Sequence, residues 1–196
     1  MKAGWSEDRL RQALTQASGP SSDYDLNPDP APEVSLRPAG VLAAFHEDDG
    51  RLILTKRASG LRHHPGQIAL PGGKVDPGDA DEIAAALREA REEVGLDPAQ
   101  VEVLGTLPPH RTVTGFTMTP VLGIVRGQFA ARPEPGEVEE VFTLPFAHIA
   151  QPANYRVEGR RWRGGWRRYY VAPYGPYYLW GATARVLLQL ARRLDP

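Results

Sequence analysis

The chain has 196 residues, a formal net charge of -1 and no cysteine. That length favours one domain with a substantial core, and near-neutrality supplies no global field to draw the protein onto nucleic acid or an anionic membrane. Without cysteine there are no disulfides, thiolate zinc sites or cysteine nucleophiles, whereas hard-cation chemistry on carboxylates stays open.

Lys2, Glu7, Asp8 and Arg9 come with no apolar block between them, so the N-terminus does not read as a secretory signal. No stretch approaches membrane-spanning length, and the ending Leu194-Asp195-Pro196 lacks the peroxisomal tripeptide. A cytoplasmic enzyme is expected. Leu10 and Leu14, one turn apart behind Ser6 as a cap, predict a short amphipathic helix over 6–17. Residues 18–32 are dense in Ser, Pro, Gly and Asp and read as a linker, which divides the chain into a helix-and-linker segment over 1–33 and a catalytic domain over 34–196.

Apolar runs at 41–45 and 52–55, separated by Glu47-Asp48-Asp49-Gly50, predict a hairpin with an acidic turn. A loop rich in Gly, His and Pro leads into a helix over 80–94, stopped by Gly95 and Pro98. Strands follow at 101–104 and 117–125. Gly164-Gly165 reads as the turn of a second hairpin between 160–162 and 166–171, and a final helix covers 182–193. Many strands with few helices imply an α/β or α+β sandwich built on a mixed sheet.

The helix over 80–94 carries the chemistry. Glu89, Glu92 and Glu93 stand at i, i+3 and i+4, so their carboxylates share one side, with Glu82 two turns earlier. Ile83, Leu87, Ala90 and Val94 form the opposite, core-facing stripe. Clustered carboxylates repel one another, and an oxygen-coordinated Mg²⁺ or Mn²⁺ relieves that repulsion. Such an ion neutralises phosphate oxygens and acidifies a bound water, as hydrolysis of a pyrophosphate requires. Arg88 can pair with Glu92 one turn on, and Asp79 with Glu82 resembles a capping box. Gly72 and Gly73 lack a β-carbon, so their backbone can come close to a metal or phosphates. Charge runs on helices are usually solvated faces; the glycines, Arg88 and the helix stop at fixed offsets favour the functional reading here.

These residues resemble the Nudix box: Gly, five residues, Glu, seven residues, Arg-Glu, an aliphatic, any residue, Glu-Glu, any residue, Gly, an aliphatic. From Gly73 the first acid is Asp79 in place of Glu, and eight residues separate it from Arg88. Arg88-Glu89-Ala90-Arg91-Glu92-Glu93-Val94-Gly95-Leu96 matches closely. Leu54-Thr55-Lys56-Arg57-Ala58, Arg62, Gly66-Gln67-Ile68 and Pro71-Gly72-Gly73 resemble the signature of the coenzyme A diphosphatase branch, with Ile53 where Leu and Leu70 where Phe is usual. Leu179-Trp180-Gly181-Ala182-Thr183-Ala184 is similar to a further stretch of that branch. The resemblance implies a Nudix α/β/α sandwich, Mg²⁺ or Mn²⁺ dependence, and cleavage of coenzyme A to 3′,5′-ADP and 4′-phosphopantetheine. It implies Glu89 and Glu93 as principal metal ligands and Glu92 as ligand or base, with Arg88 completing the catalytic set.

Arg57, Arg62 and Lys74, with Gly72 and Gly73, are candidates to bind the pyrophosphate or the 3′-phosphate of such a substrate; the plain alternative is that the cations solvate a loop. His63 and His64 could assist as anion contacts or be incidental. Glu137, Glu139 and Glu140 are a further carboxylate source or ordinary surface charge. Arg160, Arg161, Arg163, Arg167 and Arg168 alternate with Trp162, Trp166, Tyr169 and Tyr170. That pattern suits base-stacking platforms or a hairpin with one aromatic face on the core, and the net charge does not support nucleic acid. The expected partner is a small-molecule substrate without a membrane, and a homodimer stays open. Other diphosphates (NADH, ADP-ribose, a capped RNA end) compete as substrates, and a non-catalytic nucleotide or RNA sensor is the reading from a different class.

Overall fold

The computed structural model describes residues 4–27, 33, 35–162 and 164–195. Lys2, residues 28–32 of the linker, Val34, Arg163, Pro196 and the Trp162 side chain lie outside the described residues. Among the described residues the elements run α1 (Glu7–Thr15), β1 (Ser21–Ser22), β2 (Arg37–His46), β3 (Leu52–Arg57), β4 (Ile68–Ala69), β5 (Gly72–Lys74) and α2 (Glu82–Val94). They continue as β6 (Val101–Thr106), β7 (His110–Arg111), β8 (Phe116–Val125), β9 (Val138–Leu144), α3 (Phe146–Ile149), β10 (Arg156–Trp162), β11 (Gly165–Tyr174), β12 (Tyr177–Trp180) and α4 (Ala182–Leu194).

Strand β2 is the spine of the large mixed sheet. It runs parallel to β8 from Arg37↔Phe116 to His46↔Val125, and antiparallel to β5 from Ala39↔Lys74 to Val41↔Gly72. Its apolar run is continuous because both faces are buried. Alternation divides it: Leu42 and Ala44 pack under α2 with Ala86, Ala90 and Val94, while Val41, Ala43 and Phe45 face the layer that holds Leu10 of α1 and Val186, Leu187 and Leu190 of α4. The result is a helix–sheet–helix sandwich, as expected from the sequence.

The 41–55 hairpin differs from expectation. β2 and β3 register at Phe45↔Leu52 and then part, because β2 is claimed by β8 and β5, and β3 by β9 from Leu52↔Leu144 onward. The turn itself is held at its edge: Gly50, at φ +65°, donates to His46 O at 2.9 Å, and a β-carbon there would lie 2.3 Å from the Trp5 ring. Trp5 stacks at 6.0 Å on Phe45 and donates to Glu47 O at 2.8 Å. Ser6 stands at the N-cap of α1 without a side-chain hydrogen bond, so α1 is secured by packing of Leu10 and Ala13 and by Arg193, which donates to Ala13 O at 2.9 Å.

The described part of the expected linker is tied down by polar contacts. Ser21–Ser22 runs parallel to β7, and Ser21 Oγ lies 2.9 Å from Nδ1 of the fully buried His110. His110 Nε2 lies 3.2 Å from Asp23, whose second oxygen accepts from Val113 N at 2.8 Å. Asn27 brackets the backbone of Arg168, accepting from its N–H at 2.9 Å and donating to its carbonyl at 3.2 Å. The Ser, Asp and Asn content that reads as linker supplies side-chain hydrogen bonds that stand in for a core.

Helix α2 starts at Glu82, two residues after the expected 80, and the Asp79–Glu82 capping box is not formed. Asp81 is the N-cap and accepts from Ala84 N at 2.8 Å, because Asp79 is taken by Asp76 N at 2.8 Å and by Arg88. Gly95 closes the helix at φ +74°, as expected. The helix lies directly on β2: a β-carbon on Gly40 would sit 1.9 Å from Glu82 O. The predicted C-terminal hairpin is present, but Gly165 pairs with Trp162 and belongs to the strand, not to the expected Gly164-Gly165 turn; β12 adds a third strand.

Gly40→Ala is expected to cost about 3 kcal/mol or more in urea unfolding, since helix and strand backbones must separate. A second expectation concerns acid. Burial pushes the Asp23 carboxyl up, but its hydrogen bond to His110, the charge of that ring and the Val113 N–H together bring it below the ordinary 3.8. A depressed carboxyl stabilises the fold above its ordinary value and loses that contribution as pH falls through the folded value. Asp23→Asn is therefore expected to be less stable at neutral pH and to lose less stability than the parent below 3.8, read by urea midpoints across that range.

Candidate active site

Four residues separate Glu89 from Glu93, a net rotation of about 40° on a helix, whereas Glu92 turns about 60° the other way. Packing converts that difference into three environments. Glu93 is buried, its side chain 4% exposed, and Glu89 is at 15%, while Glu92 stands out at 58%. The expected core stripe is present, with Ala90 and Val94 fully buried and Ile83 and Leu87 packed partly against the same cluster.

Glu89 and Glu93 turn inward beneath the glycine segment. Gly72 N donates to Glu93 Oε2 at 3.0 Å, and a β-carbon on Gly73 would lie 2.4 Å from Glu89 Oε1. Gly72, at φ +152°, has no room either, since a β-carbon would approach Gly40 O to 2.4 Å. The glycines are thus required by the carboxylates and by β2, a packing reason that the sequence reading lacked.

Arg88 organises the helix side. Its Nε and Nη2 each donate to Asp79 at 3.0 Å, Nη1 donates to Glu89 and to Glu92, each at 3.0 Å, and Nη2 reaches Lys74 O at 3.1 Å. The predicted Arg88–Glu92 pair is therefore one spoke of a hub. Hydrogen bonding to Asp79, against the cost of burial, and then to Glu89 keeps Arg88 protonated beyond its ordinary range, and Arg88 holds Asp79 below its own.

Positive charge is short at the inner carboxylates. Burial pushes Glu93 up to about 7, against the Gly72 N–H and the charge of Arg57, with Glu89 and Glu137 adding repulsion. Arg57 Nη1 is 3.7 Å from Glu93 Oε1. Glu89 is raised as well, by burial first and despite Arg88. Among the described residues no three His, Cys, Asp or Glu side chains already converge as a metal cage. The donor set nevertheless fits a hard cation: oxygen ligands only, held in a cradle that a β-carbon on Gly73 would fill, with a deficit of positive charge.

Gly72, Gly73, Lys74 and Arg57 line one cavity of about 380 Å³. Lys74 also pairs with Asp76 at 2.8 Å, and among the described residues the buried Arg57 Nε has no hydrogen-bond partner. Arg62 and His63 are exposed on the 58–67 loop and do not line the cavity, whereas His64 does. Glu139 pairs with Lys56 at 2.6 Å and Glu140 accepts from Tyr177 at 2.5 Å, so of the three acids Glu137 is the one whose charge reaches Glu89 and Glu93. Asp23, Phe116 and Met118 also form this wall, and neither spacing nor motif in the sequence links them to the glycine segment, whereas Thr183 belongs to the 179–184 stretch already singled out.

Arg88→Ala is expected to lower stability by roughly 1–3 kcal/mol in urea unfolding, because several carboxylate oxygens lose a charged donor at once. Arg88→Lys should recover little of it, since one ammonium cannot span Asp79, Glu89 and Glu92 as a guanidinium fork does.

The sequence profile of the NUDIX domain matches residues 36–163. The proteins described as "Uncharacterized Nudix hydrolase NudL" from Salmonella paratyphi B and from Salmonella enteritidis PT4 are each 47% identical over 143 residues, covering 73% of this chain and 74% of theirs. The crystal structure of a MutT NUDIX hydrolase from Burkholderia pseudomallei superposes with a TM-score of 0.49 at 20% identity, covering 80% of this chain and 98% of that one. With the profile spanning well over half its length and relatives 47% identical over 73% of it, the chain belongs to the Nudix family.

Proposed function

We propose that this protein hydrolyses the diphosphate bond of coenzyme A or a close derivative, releasing 3′,5′-ADP and 4′-phosphopantetheine or its acyl form. The observation that carries this reading is the meeting of two distant segments at one cavity. Thr183 Oγ1 donates to Ile68 O at 3.1 Å, which joins the 179–184 stretch to the 66–73 stretch, and both line the cavity that begins at Gly72, Gly73 and Lys74. These are the segments whose residues resemble the coenzyme A diphosphatase branch.

In this proposal Glu89, Glu93 and Glu92 hold Mg²⁺ or Mn²⁺. When bound, the cation supplies neutralisation of phosphate oxygens and a more acidic water. The chain's own residues do the rest. Arg88 fixes Glu89 and Glu92 in orientation through hydrogen bonds at 3.0 Å. Glu93 is anchored by Gly72 N–H at 3.0 Å, leaving its other oxygen toward Arg57. Arg57 and Lys74 bring positive charge to the cavity wall at the glycine segment, where guanidinium and ammonium donors suit diphosphate oxygens. Glu92, the most exposed of the three, has the freedom to accept a proton from water.

The test is product analysis with Mg²⁺ or Mn²⁺ and, separately, coenzyme A, NADH and ADP-ribose, with a chelator control. Metal-dependent 3′,5′-ADP in preference to the other products is the expected outcome; preferential cleavage of NADH or ADP-ribose overturns the substrate. Glu93→Gln is expected to cut turnover by about 100-fold or more and to abolish the rise in melting temperature that Mg²⁺ gives the parent protein. Full retention of both would remove Glu93 from the site.

A further inference from the structure

The C-terminal sheet brings a second set of cations to the same cavity. Arg160, Arg167, Tyr169 and Trp180 line it together with Gly72, Gly73, Lys74 and Arg57. Arg160 and Arg167 are direct cross-strand partners in the β10–β11 register, so two like charges stand opposite each other on one side of the sheet. Such a pair weakens a sheet; Arg167 already faces the Asp23 carboxyl, which its charge helps to hold low, so the uncompensated member is Arg160.

Each arginine is positioned by its surroundings. The Arg160 guanidinium lies over the Trp180 ring, 4.5 Å from its centroid, and 5.7 Å from that of Tyr169. The two rings meet edge to face at 5.5 Å, which makes the platform stiff. Stacking satisfies the charge of a guanidinium but none of its five N–H donors, and among the described residues Arg160 has no carboxylate partner. Arg167 Nη2 donates to Asp23 O at 3.3 Å and its guanidinium lies 5.1 Å from the Tyr24 ring, so the segment that Ser21, Asp23 and His110 pin down sets its place. Arg185, by contrast, is paired with Asp25 at 3.1 Å.

We propose that Arg160 and Arg167 form a specificity subsite for a second anionic group of the substrate, a phosphomonoester on the sugar of the nucleoside. Two guanidinium forks facing one another suit a dianionic phosphate better than a single carboxylate. The cavity of about 380 Å³ is of the size that takes a nucleotide. The inference rests on the reading of the glycine segment as the diphosphate end. The ligand class is thus a nucleoside diphosphate derivative phosphorylated on its ribose, and Arg160 selects it against the same compound without that group.

The experiment is calorimetric titration of the full-length protein, in chelator, with adenosine 3′,5′-bisphosphate and with AMP. The parent is expected to bind the bisphosphate at least about tenfold more tightly than AMP, the loss or gain of one charged hydrogen-bonded contact. Arg160→Gln should remove that preference while AMP affinity stays as in the parent, which also reports that the variant is folded; Arg160→Lys should keep part of it. Equal affinities in the parent, an unchanged preference in Arg160→Gln, or an equal fall for both ligands overturns the subsite. Coenzyme A hydrolysis by the parent separates the two readings: a bisphosphate preference without it overturns the substrate and supports the subsite, and hydrolysis without a preference does the reverse.

Discussion

Helix α2 rests on strand β2 with no side chain between them at Gly40, and the direction of each carboxylate in the cluster follows from that contact. Because Glu82 O occupies the space that a β-carbon would need, the helix axis is brought against the strand. Strand β5 pairs with the same strand at Gly40↔Gly73. Helix and glycine segment are therefore referenced to one point of β2, and Glu89 and Glu93 close the small gap between them. A larger residue at 40 or 73 would shift one reference relative to the other, with the carboxylates caught between.

The electrostatics follow from that gap. Carboxylates half or fully withdrawn from water need compensation, and the fold supplies it unequally. Arg88 serves Asp79, Glu89 and Glu92, and its bonding to Asp79 is the reason the helix cap passes to Asp81. Glu93 receives a backbone N–H and a guanidinium at 3.7 Å, which leave it raised to about 7. An under-compensated buried carboxylate costs the fold some stability, and a bound cation would offset that cost. Deep burial on a helix that otherwise looks solvated is what separates this acidic cluster from an ordinary charged surface.

The cavity has a different origin from the carboxylate site. Its walls come from the glycine segment, the 21–27 stretch, the start of β8 and the C-terminal sheet, regions far apart in the chain. Hydrogen bonds hold them together: Thr183 to Ile68, Asn27 to Arg168, Asp23 to His110 and Val113. The carboxylate cluster and the cavity are thus built separately, the first on one helix and its neighbouring strand, the second on contacts between distant segments.

The sequence by itself determined the local devices. The helix over α2, its glycine stop, the shared side of Glu89, Glu92 and Glu93, the Arg88–Glu92 pair and the existence of the C-terminal hairpin all follow from spacings of a few residues, where helix and turn geometry leave little choice. The Nudix resemblance was legible for the same reason, since its pattern is one loop and one helix. Tertiary structure alone decided which of those carboxylates is buried, because the three differ only in how they face β5. It also replaced Asp79 by Asp81 at the cap, drew β3 from β2 toward β9, and gathered Asp23, Phe116, Arg160 and Thr183 around one cavity. The cap shift rests on the nearby Asp76 and Arg88; the others depend on partners far away in the chain, and no local period encodes a competition between such partners.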